Sequence, residues 1–214
     1  LRISPEHDVQ GVLEPDRQDV LAGVLDSLDV QHLLRGRYGS TTPLHLRRLL
    51  LSPAFRFARW ARARRIRRGG FPYVLVLLQL EHDASFVAHS GYARMSDFTD
   101  EVLDAFARAA PRHHHIVFKA HPLEDGRAPL ERTIRDSARA HGVADRVYFV
   151  RGGKLAYLLQ TARSAITVNS TSAHQALWRG LPVRSFGVSV YDKPGLVSHQ
   201  SLDEFLRRPL PPDQ

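Results

Sequence analysis

Short apolar runs that alternate with helix-like segments are the feature that most constrains the fold of this chain. The first run, YVLVLLQL, occupies 73–80, and the others lie at 115–122, 146–150, 164–169 and 181–187. Segments with helical spacing lie between them, at 96–110, 128–142, 154–162 and 170–180. Runs this short and apolar are typical of strands that are buried on both faces of a parallel sheet. Five strands alternating with four helices therefore predict an α/β fold, a Rossmann-like doubly wound parallel sheet.

Turn-forming and capping residues place the ends of these elements. Ser96 or Asp97 is the predicted N-cap of the first helix, because both side chains can accept a hydrogen bond from a free backbone N–H. Pro122 ends the second strand because it lacks an N–H donor. Gly142 is expected to close the second helix.

The first seventy residues follow a different pattern. One amphipathic helix is predicted at 16–34, and 44–68 reads as a basic, partly amphipathic helical stretch interrupted at Pro53. Gly69, Gly70 and Pro72 then mark a boundary. The sequence therefore predicts a helical, partly basic segment or linker over 1–70 and a Rossmann-like domain over 71–214.

Positive charge is concentrated in one part of this chain of 214 residues. The formal net charge is +8, and the segment 44–68 contains nine arginines and no acid. A solvated surface or domain junction is one interpretation, and attraction to an anionic membrane surface is the other. Nucleic acid is not an expected partner, because no recognition motif accompanies the charge. The arginines are Arg47, Arg48, Arg56, Arg59, Arg62, Arg64, Arg65, Arg67 and Arg68.

The absence of cysteine excludes disulfides and thiolate metal sites. It is consistent with a reducing compartment, and no apolar run reaches the length of a membrane span. Three consecutive histidines, His113 to His115, follow Pro111 without a matching set of ligands elsewhere. We therefore expect a solvated loop there and no metal site.

Polar residues follow four of the predicted strands, where ligands bind in sheets of this kind. Each group by itself has an ordinary explanation as a solvated turn, a strand end or a helix cap, but together they line one edge. The groups are Gln79, Glu81 and Asp83; Lys119, His121 and Pro122; Arg151, Gly152 and Gly153; and Asn169, Ser170, Thr171 and Ser172.

Two of these groups together predict a phosphate pocket. Lys119 and His121 are two residues apart, so their side chains should point the same way from the strand. The sequence NSTS at 169–172 supplies hydroxyls where a helix should begin, and helix N-termini favour anions. Glu81 or Asp83 could then serve as the nucleophile or base that glycosyl transfer requires.

Five motifs give the chain a resemblance to a known family. LQLEHDASFVAHS, VFKAHPLEDG, RVYFVRGGKLAYLL, TVNSTSAHQALWRGLPV and FGVSVYDKPGLV occur between residues 71 and 208. They contain a Q-x-x-x-D element, an H-P element, an N-S-T element and a Y-D-x-P-G-L element. In order and spacing these resemble the bacterial capsule polysaccharide biosynthesis/export family, which includes β-Kdo glycosyltransferases of capsule lipid-linker assembly.

The resemblance implies a retaining glycosyltransferase with a GT-B-like arrangement of two Rossmann-like domains. It would transfer Kdo from CMP-Kdo to a phospholipid-linked acceptor and need no metal or other cofactor. It would be cytoplasmic, peripheral at the inner face of the cytoplasmic membrane, and would work with the capsule assembly and export machinery.

The motif positions imply roles for particular residues. Asp83 corresponds to the catalytic carboxylate, with Gln79 in the same element, while His121 and Pro122 correspond to the pair that contacts the donor phosphate. Ser170 and Thr171 correspond to hydroxyls at the nucleotide end. Tyr191 and Asp192 belong to the Y-D element, for which we expect a structural or donor-side role.

Residues 1–70 lack a βαβ pattern that could form the second Rossmann-like domain of such enzymes. The chain therefore reads as the C-terminal half of a GT-B-like transferase preceded by a helical segment. Two alternatives follow: a non-catalytic remnant that binds a nucleotide or a capsule-assembly partner, and a related transferase that uses another nucleotide sugar.

Overall fold

The computed structural model describes Ile66 and residues 68–124 and 129–212. The predicted helix at 16–34 and nearly all of the basic stretch at 44–68 lie outside these residues. The predicted domain boundary at residue 70 therefore stays a prediction.

Five parallel strands form a single sheet, which confirms the predicted fold class. The strands are β1 (Tyr73–Leu77), β2 (His115–Lys119), β3 (Val147–Val150), β4 (Ser164–Thr167) and β5 (Val183–Ser185). Their order across the sheet is β3-β2-β1-β4-β5. The chain moves outward in one direction from β1 to β3 and then crosses to β4 on the other side of β1. The reversal of strand order lies between β1 and β4, where open α/β sheets bind their ligands.

The helices lie on both sides of this sheet. The described residues contain α1 (Ala84–His89), α2 (Met95–Ala109), α3 (Leu130–Ala140), α4 (Leu155–Leu159), α5 (Ala173–Leu177) and α6 (Leu202–Arg207), with a 3₁₀ turn at Ala144–Arg146. The sequence predicted α2 to α5 but not α1 or α6. Both are six-residue helices that lie outside the four segments with recognised helical spacing.

Side chains alternate between two apolar layers because strand residues point to opposite faces of the sheet. Val74, Val76 and Leu78 pack with α2, α3 and α6 in the first layer. Tyr73, Leu75 and Leu77 pack with α4, α5 and Ile66 in the second. All five residues of β1 are buried, as expected for a central strand covered on both faces.

Two predicted helix starts are wrong. Helix α2 begins at Met95, and its N-cap Arg94 makes no side-chain cap bond, so neither Ser96 nor Asp97 caps it. The helix predicted over 170–180 is confined to Ala173–Leu177 with Ser172 at the N-cap. Gly142 does close α3 as predicted, since its φ of 68° is one that glycine adopts without strain.

The carboxyl ends of all five strands are aligned. In the parallel register Leu77 lies beside Lys119 and Thr167, Lys119 lies beside Val150, and Thr167 lies beside Ser185. These five residues are the last of their strands. The polar residues that follow each strand therefore begin from one straight edge of the sheet.

Candidate functional site

Two buried amides meet at the reversal of strand order. Gln79 follows β1 and Asn169 follows β4, and each side chain is less than 5% exposed. The Gln79 Nε2 donates to Asn169 Oδ1 at 2.6 Å, and the Asn169 backbone N–H donates to Gln79 Oε1 at 3.3 Å. This reciprocal pair satisfies polar groups whose burial would otherwise destabilise the fold.

Asn169 also holds helix α1 and the loop after β5. Its Nδ2 lies 2.8 Å from the carbonyl oxygen of Ser85 and 3.3 Å from that of His89, the first turn and the last residue of α1. Gly187 passes close by, because a Cβ there would lie only 2.7 Å from the His89 carbonyl oxygen. One asparagine therefore fixes the position of α1 over the ends of β1 and β4.

Asp83 lies at the start of the helix that Asn169 holds. It is the N-cap of α1, and its Oδ1 accepts a hydrogen bond from the Ser85 N–H at 3.0 Å. The residue is exposed. Among the described residues this N–H is the only partner of its carboxylate, so the second oxygen is available to a ligand.

Glu81, two residues before Asp83, contacts the start of helix α2. Its Oε1 accepts the backbone N–H of Met95, the first residue of α2, at 2.8 Å. A carboxylate is favourable there because the N-terminus of a helix carries a partial positive charge. The contact gives Glu81 a structural role in starting α2, the role that the sequence assigned to Ser96 or Asp97.

Lys119 and His121 follow β2 at the same edge. Lys119 is 7% exposed, and its Nζ donates to the Ala120 carbonyl oxygen at 2.9 Å. His121 is half-buried, and its Nδ1 accepts the Leu123 N–H at 3.2 Å. A neutral His121 therefore carries its proton on Nε2, which can donate to an anion. Pro122, the next residue, is exposed.

The segment after β4 is held by hydroxyl groups rather than by a long helix. The Ser170 N–H donates to Thr167 Oγ1, and the Ser170 Oγ accepts the Ser172 N–H. Thr171 is exposed. The five-residue helix that follows offers less dipole than the predicted one, so hydroxyls and backbone donors are the main polar groups here.

Tyr191 fixes this segment from the loop after β5. Its hydroxyl donates to the Ser170 carbonyl oxygen at 2.8 Å, and the His174 ring packs edge-on against its ring at 5.0 Å. Burial raises the pKa of Tyr191 to about 12, so the phenol stays protonated at neutral pH. Asp192 is exposed beside it. The Tyr191–Ser170 contact supports a structural role, one of the two roles expected for the Y-D element.

The three histidines are not a solvated loop, so that prediction is wrong. His114 is 3% exposed, and His115 is the first residue of β2, with its ring 4.1 Å from that of Phe71. Burial, followed by the charges of His113 and Arg163, lowers the pKa of His114 to about 4. His113 is exposed. No group of three or more described His, Asp or Glu residues could hold a metal ion.

Comparison with known proteins identifies the family. The family model described as "Capsule polysaccharide biosynthesis protein" matches residues 58–214, more than half of the chain. The chain belongs to this family. The resemblance drawn from the Q-x-x-x-D, H-P, N-S-T and Y-D elements is thereby confirmed.

Two curated members of the capsule family are similar in sequence. "Capsule polysaccharide export protein KpsS" of Escherichia coli is 30% identical over 141 residues, which cover 66% of this chain and 36% of that protein. "Capsule polysaccharide modification protein LipB" of Neisseria meningitidis serogroup B is 31% identical over 154 residues, covering 71% and 37%. The chain thus spans a little over a third of the length of these relatives.

A solved structure also matches at lower identity. The Thermosulfurimonas dismutans protein "KpsC, beta Kdo 2,7 transferase" is 21% identical, with a TM-score of 0.44. The match covers 70% of this chain and 51% of that one.

Sequence reasoning missed residues that support the candidate site through backbone carbonyls and buried hydroxyls. Ser85 and His89 offer backbone carbonyls to Asn169, which no side-chain pattern could reveal. Thr167 donates to the Leu77 carbonyl oxygen and accepts from Ser170. A threonine as the last residue of an otherwise apolar strand was the only sequence signal for this contact. No helix among the described residues is long and apolar enough to cross a membrane.

Proposed function

We propose that this capsule-family chain provides the donor side of a glycosyltransferase that transfers β-Kdo from CMP-Kdo to a phospholipid-linked acceptor. The observation that carries the proposal is the position of the exposed Asp83 carboxylate at the start of α1. The buried Gln79–Asn169 pair holds this helix at the reversal of strand order. The Kdo donor itself rests on the motif resemblance.

The donor phosphate would bind between the ends of β2 and β4. His121 can donate from Nε2, and Ser170 and Thr171 supply hydroxyls at the opposite strand end. Such fixed donors stabilise the negative charge that develops as CMP departs, which is the main requirement when the leaving group is already a good one. No metal is needed for this step.

Asp83 would act as the nucleophile of a double displacement. One carboxylate oxygen attacks the anomeric carbon as the bond from that carbon to the CMP phosphate oxygen breaks, and CMP leaves with the electron pair. The acceptor hydroxyl oxygen then displaces Asp83, and its proton passes to solvent. Two inversions retain the configuration. Gln79 would orient this step through Asn169 rather than contact the sugar.

Donor binding is tested by calorimetric titration of the purified chain with CMP, UDP and GDP. We expect CMP to bind selectively and binding to be lost in His121→Ala, with Leu123→Ala as a matched exposed control. Selective binding of UDP or GDP would assign the chain to a related transferase. Binding of no nucleotide would refute the donor site.

Turnover with CMP-Kdo and a lipid-linked acceptor tests the catalytic role. Asp83→Asn should lower the rate at least a hundredfold while leaving CMP affinity within about twofold, because the amide cannot form the ester adduct. CMP binding without turnover in the wild-type chain would favour the non-catalytic alternative.

A further inference from the structure

The loop after β5 passes through a space that only glycine fits. A Cβ on Gly187 would lie 2.7 Å from the His89 carbonyl oxygen, well inside the ordinary contact distance of 3.4–4 Å. It would also lie 3.1 Å from Asn169 Nδ2 and from Val168 Cγ1. Because the nearest atom belongs to the backbone, a side chain at 187 would force either the loop or the end of α1 to move. Gly91, two residues after α1, is the opposite case, since nothing lies within 4 Å of a Cβ there.

The loop is fixed on the side of β4. The Gly187 N–H donates to the Val168 carbonyl oxygen at 2.8 Å, and the Phe186 N–H lies 3.1 Å from the same oxygen. The Phe186 ring packs edge-on against Phe98 with 5.7 Å between ring centres. The guanidinium carbon of Arg184 lies 4.6 Å from the Phe186 ring centre. A shift of the loop would lose these hydrogen bonds and ring contacts together.

Helix α1 is the part that can yield. The Val188 N–H donates to the His89 carbonyl oxygen at 2.9 Å, and Gly187 forms an antiparallel bridge with Ser90. These contacts fasten the end of α1 to the loop. The helix itself has six residues and buries one side chain, Phe86. So short a helix has little stability of its own, so its position follows from what it is fastened to.

A displacement of α1 would reach Asp83 but not the donor segment. Asp83 is the N-cap of α1, and its carbonyl oxygen accepts the Val87 N–H at 3.0 Å, so its carboxylate moves with the helix. The other end of the loop is anchored separately, because the Tyr191 hydroxyl donates to the Ser170 carbonyl oxygen at 2.8 Å. One loop therefore contacts both the helix that carries the candidate nucleophile and the segment that carries the donor hydroxyls.

We propose that Gly187 is a positioning residue, which sets the distance between the Asp83 carboxylate and the donor segment at Ser170. The inference rests on the proposed function, in which Asp83 is the nucleophile. Reaction rates depend steeply on such a distance, since a misplacement of about 1 Å can cost about a hundredfold. A methyl group at 187 therefore lowers turnover by moving α1, while the donor contacts stay in place.

The test compares Gly187→Ala with Gly91→Ala, which adds the same methyl group near α1 where there is room. We expect Gly187→Ala to lower kcat for transfer from CMP-Kdo about tenfold or more, with the Kd for CMP within twofold of wild type in calorimetry. Gly91→Ala should keep both values within twofold. Unchanged kcat in Gly187→Ala would overturn the proposal. So would a fall in kcat matched by an equal fall in the number of CMP sites, which indicates loss of folded protein.

Hydrogen exchange followed by NMR tests the same inference without turnover. In the wild-type chain the Val188 N–H should exchange as slowly as the Ser90 N–H at the end of α1, because the loop and the helix open together. The Val190 N–H, which donates to no described group, should exchange at least tenfold faster. In Gly187→Ala the amides of α1 should exchange about tenfold faster than in wild type, with β1 unchanged.

Rapid exchange at Val188 while α1 stays protected would overturn the proposal, and this wild-type measurement holds even where the Gly187 variant does not fold. Failure of the proposed function gives a different result. A wild-type chain without turnover would refute the transferase activity, and the exchange rates of α1 would still decide whether Gly187 positions the helix of Asp83.

Discussion

Asn169 connects more parts of the candidate site than any other single side chain described. It follows β4, accepts a hydrogen bond from Gln79 after β1, and donates to two carbonyls of α1. The side chains of Asn169 and Gln79 are both buried, so loss of either one leaves the polar group of the other without its partner. The side chain is therefore a positioning residue for Asp83, which begins α1.

Replacing Asn169 with alanine should lower the free energy of unfolding by about 2–4 kcal/mol, because it removes the partner of the buried Gln79 Nε2 and the hydrogen bonds that hold α1. Urea denaturation followed by circular dichroism measures the change. Thr171→Ala, an exposed neighbour, should stay within about 0.5 kcal/mol of wild type. A midpoint for the Asn169 variant equal to that of the Thr171 control would contradict the positioning role.

His114 gives the fold a dependence on pH with a defined sign. Its folded pKa of about 4 lies below the ordinary value of 6.5, so the unfolded chain binds its proton more readily. This contribution to stability is fully present above pH 6.5 and is lost as pH falls towards 4.

Between pH 7.5 and 4.5 the wild-type chain should lose about 2 kcal/mol more stability than His114→Gln, whose side chain cannot be protonated. Urea denaturation at the two pH values measures this difference, in which the shared titration of other groups cancels. His113→Gln should weaken this dependence only in part, because the charge of His113 contributes to the lowered pKa of His114 but burial is the larger cause. Identical pH dependence in wild type and His114→Gln would show that burial does not shift this pKa.

Helix α2 shows how an element can begin at a residue outside its own segment. Its first N–H is bound by Glu81, fourteen residues earlier in the chain. The same contact ties the segment after β1 to the start of α2. Since α2 packs Phe98, Val102 and Phe106 into the first layer, its start also positions that layer.

Glu81→Ala should destabilise the fold by about 1 kcal/mol, a typical cost for loss of a helix cap. Ser96→Ala, at one of the two residues predicted as the cap, should change stability by less than about 0.5 kcal/mol, since Ser96 makes no cap bond. Thermal unfolding measures both variants. The reverse order of effects would return the capping role to Ser96.

At the scale of the whole domain, the order of strands determines which parts are most protected. The central strand β1 pairs on both sides and is buried along its whole length, and β4 is buried likewise. At the sheet edges, β3 has three half-buried residues and β5 has only three residues. Local opening should therefore begin at the edges and leave the candidate site between β1 and β4 intact.

Hydrogen exchange followed by mass spectrometry should find the amides of β1 and β4 the slowest, exchanging only on global unfolding. Peptides that cover β3 and β5 should exchange at least tenfold faster under the same conditions. The five strands are internal controls for one another, because their exchange is measured in one sample. Protection of β3 equal to that of β1 would contradict this ranking.

The sequence by itself determined the strand and helix alternation, the parallel class of the sheet and the family, because apolar periodicity and motif spacing are local properties of the chain. It also placed Gln79, His121 and Asn169 at strand ends, where the structure has them. Its expectation of solvated histidines was wrong, since burial of His114 depends on how β2 enters the sheet. No described residue tests the predictions for 1–65.

Only the tertiary structure decided which contacts these side chains make. Gln79 and Asn169 are ninety residues apart, as are Leu77 and Thr167, and no local pattern specifies such a pairing. The contact of Glu81 with the first N–H of α2 spans fourteen residues and was not foreseen for the same reason. The division of the helices into two layers likewise exists only after the chain has crossed from β3 to β4, because that crossing places α4 and α5 opposite α2 and α3.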